Sequence, residues 1–210
     1  MSSAPPCPTD CAARVLDAAL EVFREYGYRS SIDAVAARAQ VARQTIYNHF
    51  GNKETLFCTA LTRAVQEVFS TLGTGDGDCR ERLVRFGLTF RQRVLSPESI
   101  NMHKVMVSES GRFPELAQSL YQSCYVYSRT QMADLLQCAM QQGVLRQDDP
   151  MEAANILIDM LISHDHTLLV FGGGPLDPQQ ELDKVNRALE LFLRLYALPA
   201  APATTDAASQ

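Results

Sequence analysis

Between Ser30 and Glu54 the chain reads SSIDAVAARAQVARQTIYNHFGNKE: two short helical patterns, a tight connection, and the start of a third helix. This stretch constrains the fold more than any other. Ser31 is suited to N-cap the first helix, because its hydroxyl can accept from a free backbone N–H two or three residues on. Ile32, Val35, Ala36 and Ala39 then recur at helical spacing and give that helix one apolar face. After Val41, Arg43 to Phe50 forms a second helix of different character.

At about 100° per residue, Ala42 and Phe50 fall within roughly 40° of Ile46, so these three are expected to form its buried seam. Gln44 and Asn48 lie opposite, Thr45 and Tyr47 flank, and Arg43 and His49 sit nearer the seam. The outward face thus carries amides, a hydroxyl, a phenol and a guanidinium, with no carboxylate. Such groups can donate to base edges and phosphates without repelling them. Asn52 is placed to cap the next helix. Lys53 stands in its first turn, where a cation opposes the helix dipole unless an anion such as phosphate binds there. A polar helix face is more often simply solvated; the combination here favours reading DNA.

These residues resemble the tetracycline-repressor (TetR) family of bacterial transcription regulators. The likeness rests on Ser31 to Ala36, Val41, Thr45 to Phe50, and Asn52 to Phe57, within about the first 70 residues. It implies a helix-turn-helix near the N-terminus of an all-α homodimer with a ligand-responsive C-terminal domain. The sequence departs from the family pattern twice. Gln40 replaces the usual turn glycine and would have to enter the left-handed region. Ala42 replaces the usual Ser or Thr cap, a loss of about 1 kcal/mol.

Upstream, Asp10 to Tyr26 reads as a helix with Val15, Leu16, Ala19, Leu20 and Phe23 on one side, ended by Gly27. It would complete the core of the reading unit, with Arg14 able to approach a phosphate. Downstream, Leu56, Phe57, Ala60, Leu61, Ala64, Val65, Val68 and Phe69 give a long connecting helix. GTGDGD (Gly73 to Asp78) breaks it; no strand precedes it and the GxGxxG spacing fails, so it reads as a linker. Helices are expected at 79–95, 97–110, 114–142, 150–171 and 178–198, with Pro97, Pro114, Pro150 and Pro178 at helix starts. No alternating strand pattern exists, and the expected class is all α. The expected organisation is a disordered arm at 1–9, a three-helix helix-turn-helix unit at 10–54 (motif about 31–50), a ligand-binding and dimerisation domain at 55–198, and a disordered tail at 199–210.

The segment GRFPELAQSLYQ, with His103 to Ser110 before it and GVLRQDDPMEAA after it, also looks like the C-terminal domain of the AefR-like branch of TetR regulators. Phe86, Phe90, Met102, His103, Met106, Tyr121, Cys124, Tyr125, Tyr127 and His164 are candidates to line an apolar effector cavity there. The last two helices are unusually apolar, which points to burial against a second copy. Leu157, Leu161, Leu168, Val185, Leu189, Phe192 and Tyr196 are the expected interface, and the resemblance implies a four-helix bundle with the mate.

Charge excludes less than it first suggests. The net charge is −5, but residues 1–53 carry six Lys/Arg against five Asp/Glu, and the acidity lies beyond them. DNA affinity must then come from a local patch, expected from Arg29, Arg38, Arg43 and Lys53. No signal peptide or membrane span is visible, and the cytoplasm is the expected location. The six cysteines form no CxxC pair and read as small buried hydrophobes. His164 and His166, two apart on a helix, point about 200° away from each other and cannot share one metal ion. No metal or cofactor is expected. GxSxG, HExxH and a Walker loop are absent, and His103 and Glu109 do not align on a helix, which argues against an enzyme. The expected function is a ligand-responsive regulator, a repressor released from a palindromic DNA operator by a small hydrophobic effector. The alternative is a helical small-molecule-binding dimer with weak or no DNA binding. A DNA-reading site would comprise Ser31, Arg43, Gln44, Thr45, Tyr47, Asn48, His49 and Lys53.

Overall fold

Eight-residue helices are marginal in isolation, so the two at the reading unit must be held by longer neighbours. The computed structural model, which describes residues 8–73 and 79–198, shows how. The expected arm apart from Pro8 and Thr9, the expected linker from Thr74 on, and the expected tail lie outside the described residues. The helices are α1 (Pro8–Tyr26), α2 (Ile32–Ala39), α3 (Arg43–Phe50), α4 (Lys53–Gly73), α5 (Cys79–Val94), α6 (Pro97–Glu109), α7 (Pro114–Leu120), α8 (Tyr127–Gln141), α9 (Pro150–Val170) and α10 (Glu181–Tyr196). A π-helical segment, Tyr121–Val126, joins α7 to α8 without a break, so the expected helix at 114–142 is one rod with a wider middle. Among the described residues there is no strand; Leu145 and Ala197 form a single isolated bridge.

Two cores result. The first gathers Val15, Ala19 and Phe23 of α1, Ile32 and Val35 of α2, Ile46 of α3, Leu56 and Phe57 of α4, and, unforeseen from sequence, Leu116 and Leu120 of α7. Phe23 meets Phe57 edge-on at 4.7 Å between ring centroids. Arg14 does not face outward toward a phosphate; its Nη2 donates to the Ala39 carbonyl at 2.7 Å and holds the end of α2 on α1. Arg63 of α4 similarly reaches the Ala13 carbonyl at 3.0 Å and Asp17 at 3.0 Å.

The second core packs Phe69, Phe86, Phe90, Met132, Leu136, Leu157, Leu161, Val185, Leu189 and Phe192. α5 and α10 approach closely at Gly87, where an added Cβ would stand 2.7 Å from Val185 Cγ1. A polar knot ties the same helices. Arg91, only 3% exposed, donates from Nε and Nη2 to Glu181 at 2.8 Å each, from Nη2 to Asp165 at 2.6 Å, and from Nη1 to the Leu161 carbonyl. Lys184 adds 2.9 Å to Asp165. Burial pushes the Asp165 carboxyl up, but the hydrogen bonds from Arg91 and Lys184 outweigh it and hold it below the usual carboxylate value.

This packing corrects the expected dimer surface. Leu157, Leu161, Val185, Leu189, Phe192 and Tyr196 are all at most 2% exposed within a single chain, so they already belong to its own core. Their apolar periodicity marks the inward face of α9 and α10. Of the seven, Leu168 alone is exposed, at 42%, on a stripe with Met160 and Phe171. The cysteines are corrected too. Cys11, Cys58 and Cys124 are half-buried but Cys138 is exposed, while Cys7 and the Cys79 side chain lie outside the described residues.

Candidate nucleic-acid interface and cavity

The turn between α2 and α3 forms as the sequence requires. Ser31 Oγ accepts from the Ala34 N–H at 3.1 Å. Gln40 sits at φ 54°, ψ 48°, in the left-handed region, and Ala42 makes no side-chain cap. The next junction is capped by Asn52, whose Oδ1 accepts from the Thr55 N–H at 2.7 Å.

On α3, Ile46 is the one fully buried residue and Phe50 is half-buried. Ala42 is exposed, not part of the seam, because the chain there is still extended at φ −70°, ψ 144° and the helical wheel does not yet apply. Arg43, Gln44, Asn48 and His49 are exposed, with Thr45 and Tyr47 half-buried at the flanks. Gln44 Nε2 donates to Asn48 Oδ1 at 2.9 Å, which aligns the two amides one turn apart. Arg43 donates to the Tyr47 hydroxyl at 3.2 Å and pairs with Asp33 of α2 at 3.1 Å. The expectation of a face without carboxylates therefore fails at its edge: Asp33, from the preceding helix, neutralises Arg43. Hydrogen bonding from Arg43 to Tyr47, and then the Asp33 charge, raise the guanidinium's pKa.

The cationic patch is also smaller than expected. Arg38 pairs with Glu21 at 3.1 Å and Glu25 at 2.9 Å, back on α1. Lys53 lies 4.4 Å from the Tyr28 ring centroid, and partial burial lowers its pKa. That contact, unforeseen, supplies part of what the helix N-terminus lacks for a cation. Ser31 spends its hydroxyl on the cap.

Beside the reading unit is a partly open cavity of about 390 Å³, lined by α4, α5, α6, the end of α7, α8, α9, the π segment and the end of α1. Its volume suits a small organic ligand. Phe90, Met102, His103, Met106, Cys124 and Tyr125 line it as expected; Phe86, Tyr121, Tyr127 and His164 do not. Phe86 lies one layer behind, stacked on Phe90 at 5.3 Å. Tyr121 stacks on Tyr125 at 5.9 Å but is itself half exposed. His164 is exposed, and His166 takes the place expected for it. The sequence held that signal: Ile158, Ile162 and His166 are four apart and share one face of α9.

His103 Nδ1 and the Tyr125 hydroxyl are 2.6 Å apart, and the His103 and His166 rings meet edge-on at 4.7 Å. Burial lowers the pKa of both imidazoles, His166 further through the His103 charge, and burial raises that of Tyr125. Burial pushes the Cys124 thiol up to about 12, leaving it a neutral wall group. The π segment presents Cys124 and Tyr125 to the cavity; such wider turns recur at functional sites. Arg24, Arg93 and Arg129 also line it, and no sequence pattern pointed to them. Among the described residues no group of three or more His, Cys, Asp or Glu is arranged to hold a metal ion, and no helix is long and apolar enough to cross a membrane.

Comparison with known proteins agrees with this architecture. Residues 15–58 match the family described as bacterial regulatory proteins, tetR family, and residues 81–198 match the AefR-like transcriptional repressor C-terminal domain. The uncharacterised helix-turn-helix-type transcriptional regulator YhgD of Bacillus subtilis is 24% identical over 193 residues, covering 85% of this chain and 92% of its own. Among solved structures, a chain from Mesorhizobium loti described as a TetR-family regulator superposes with TM-score 0.73 at 22% identity, covering 92% of this chain and 100% of its own. The flavonoid-responsive regulator FrrA superposes with TM-score 0.65 at 28% identity, with the same coverages.

Proposed function

This chain belongs to the tetR family of bacterial regulatory proteins, and from that premise we propose that it is a repressor that leaves a palindromic operator when a small, largely apolar effector fills its cavity. Its family makes it a DNA-binding transcriptional regulator; effector and operator symmetry are the proposed part.

The observation that carries the reading is the outward ridge of α3. Gln44 and Asn48 are exposed and mutually aligned, Arg43 and Tyr47 stand beside them, and Ile46 anchors the helix from behind. Amides at this spacing suit bidentate contact with adenine, and the phenol and guanidinium suit phosphates. Thr45, His49, Ser31 and Lys53 complete the contact surface. Two such ridges, one per copy, would read half-sites about 34–36 Å apart.

Effector action follows from connectivity. α4 contributes Leu56 and Phe57 to the reading unit's core and Leu61, Ala64, Val65 and Val68 to the cavity wall. A ligand that fits one tilt of α4 better than another shifts the population of head spacings, by no more than its differential affinity. The flavonoid-responsive relative makes planar aromatic compounds the first effectors to screen.

The test is a gel shift on an operator selected from genomic fragments with the purified protein. Gln44→Ala and Tyr47→Ala are each expected to weaken binding by about tenfold, the scale of a lost base or phosphate contact. Unchanged affinity and selectivity in both variants would remove α3 as the reading helix.

A further inference from the structure

One cluster on the cavity wall has no role in the reading above. Arg24, on α1 of the reading unit, and Arg93, at the end of α5, both line the cavity beside Glu98 and Ser99 of the first turn of α6. Arg24 is half-buried. Burial first, and then the positive charge of Arg93, depress its guanidinium below the usual value; Glu67, Glu98 and Glu21 oppose this without cancelling it.

Those carboxylates have other uses or lie in solvent. Glu67 is engaged by Arg63 at 3.4 Å and by Arg93 at 3.7 Å, and Glu21 by Arg38 at 3.1 Å. Glu98 is exposed. Among the described residues none makes a hydrogen bond or close ion pair with Arg24. By contrast, the cavity's third guanidinium, Arg129, is held by Asp159 at 2.9 Å. A partly buried cation without a hydrogen-bonded partner, next to a like charge, is unfavourable unless something else fills the gap.

We infer that the cavity takes an amphipathic organic anion, whose carboxylate, sulfonate or phenolate group is held by Arg24 and Arg93 while its apolar body lies against Leu61, Val65, Phe90 and Met102. The inference rests on the cavity being the effector site and specifies the ligand's chemistry. A guanidinium pair is the natural cradle for an oxyanion. Along α6, Ser99 and His103 are separated by about 6 Å of helical rise, so the same ligand can present a hydrogen-bonding group to the His103–Tyr125 pair. Arg24 also gives the ligand a direct hold on the reading unit, independent of the tilt of α4.

Two matched fluorescent probes test this on the full chain: 1-anilinonaphthalene-8-sulfonate, an anion, and N-phenyl-1-naphthylamine, its neutral counterpart. Ile162→Trp, which fills the cavity, identifies the signal that comes from the site. For that signal the anion is expected to bind more tightly than the neutral probe. Arg24→Gln should weaken it by about tenfold or more, the scale of a lost charged hydrogen bond, leave the neutral probe unchanged, and be rescued in large part by Arg24→Lys. Raised salt should weaken the anion alone in the unaltered protein, a readout that does not depend on any variant folding. Equal affinities for the two probes, with no effect of Arg24→Gln or salt, overturn the anion assignment and leave the cavity reading standing. If all signal survives Ile162→Trp, or neither probe binds, the cavity reading falls and this inference with it.

Discussion

Gln40 holds a left-handed conformation in which a Cβ crowds its own backbone, and two residues later Ala42 leaves the first turn of α3 without a side-chain cap. Both defects flank the helix that carries the proposed DNA contacts. Gln40→Gly should relieve the strain and raise stability by about 1 kcal/mol, the difference partly offset by glycine's greater freedom when unfolded. Ala42→Ser should add a hydrogen bond to a free N–H near the helix start and contribute about 1 kcal/mol. Thermal unfolding of each variant measures both; a fall in the melting temperature for Gln40→Gly would mean that its side chain supplies more than the backbone costs. These two residues were fully legible in the sequence, since their behaviour is set by local sterics and capping. Arg43 was not. Its position on the ridge follows from helical spacing, but its neutralisation by Asp33 depends on how α2 crosses α3, which no single-helix periodicity encodes.

The same divide appears among helices. The starts of α6, α7 and α9 at Pro97, Pro114 and Pro150 are readable, because a residue without an N–H is tolerated there. The start of α1 at Pro8, two residues before the expected Asp10, and the short 3-10 turn at Pro178 that delays α10 to Glu181 are not, nor is which face of α9 meets which neighbour. His164 is the expected cavity residue, yet His166 lines the cavity, while the residue between them, Asp165, joins the buried knot with Arg91 and Glu181. α6 and α9 meet at His103 and His166, and that contact has a pH signature. Burial lowers both imidazole pKa values in the folded protein, so both are neutral there at a pH where the unfolded chain, with pKa near 6.5, begins to protonate. The unfolded state then binds more protons, so stability is full above about pH 6.5 and falls as the pH drops through the folded values. Urea unfolding at pH 7.5, 6.5 and 5.5 should show this decline, and His166→Asn should flatten it by removing one titrating group and the like-charge contact to His103. An identical slope in that variant would exclude the pair as its source.

For the whole molecule, the surface left by the two cores decides how copies can pair. Family members act as dimers, and the apolar residues expected to join them turn inward: α9, packed on α5, α6, α8 and α10 within its own chain, places its most regular apolar face there. What remains is a second stripe of Met160, His164 and Leu168 on α9, continued by Phe171 just past its end, at steps of three or four, with Phe171 86% exposed. α10 offers the half-buried Leu191 and the exposed Leu195 beside Arg187 and Arg194. A large exposed aromatic beside such a stripe is costly in water and marks an interface. Phe171→Asp together with Leu168→Asp is therefore expected to halve the mass seen by sedimentation while leaving the helical signal and the melting of the monomer intact. Leu157→Ala, inside the core, should instead lower stability by roughly 2–5 kcal/mol without acting first on assembly. DNA binding separates the outcomes further. A monomer carrying one intact reading ridge keeps its weak, salt-sensitive affinity for duplex but loses the operator, because one head cannot span two half-sites. If the double aspartate variant stays dimeric, the copies pair through another surface, and the head spacing proposed for operator recognition must be rebuilt on that surface instead.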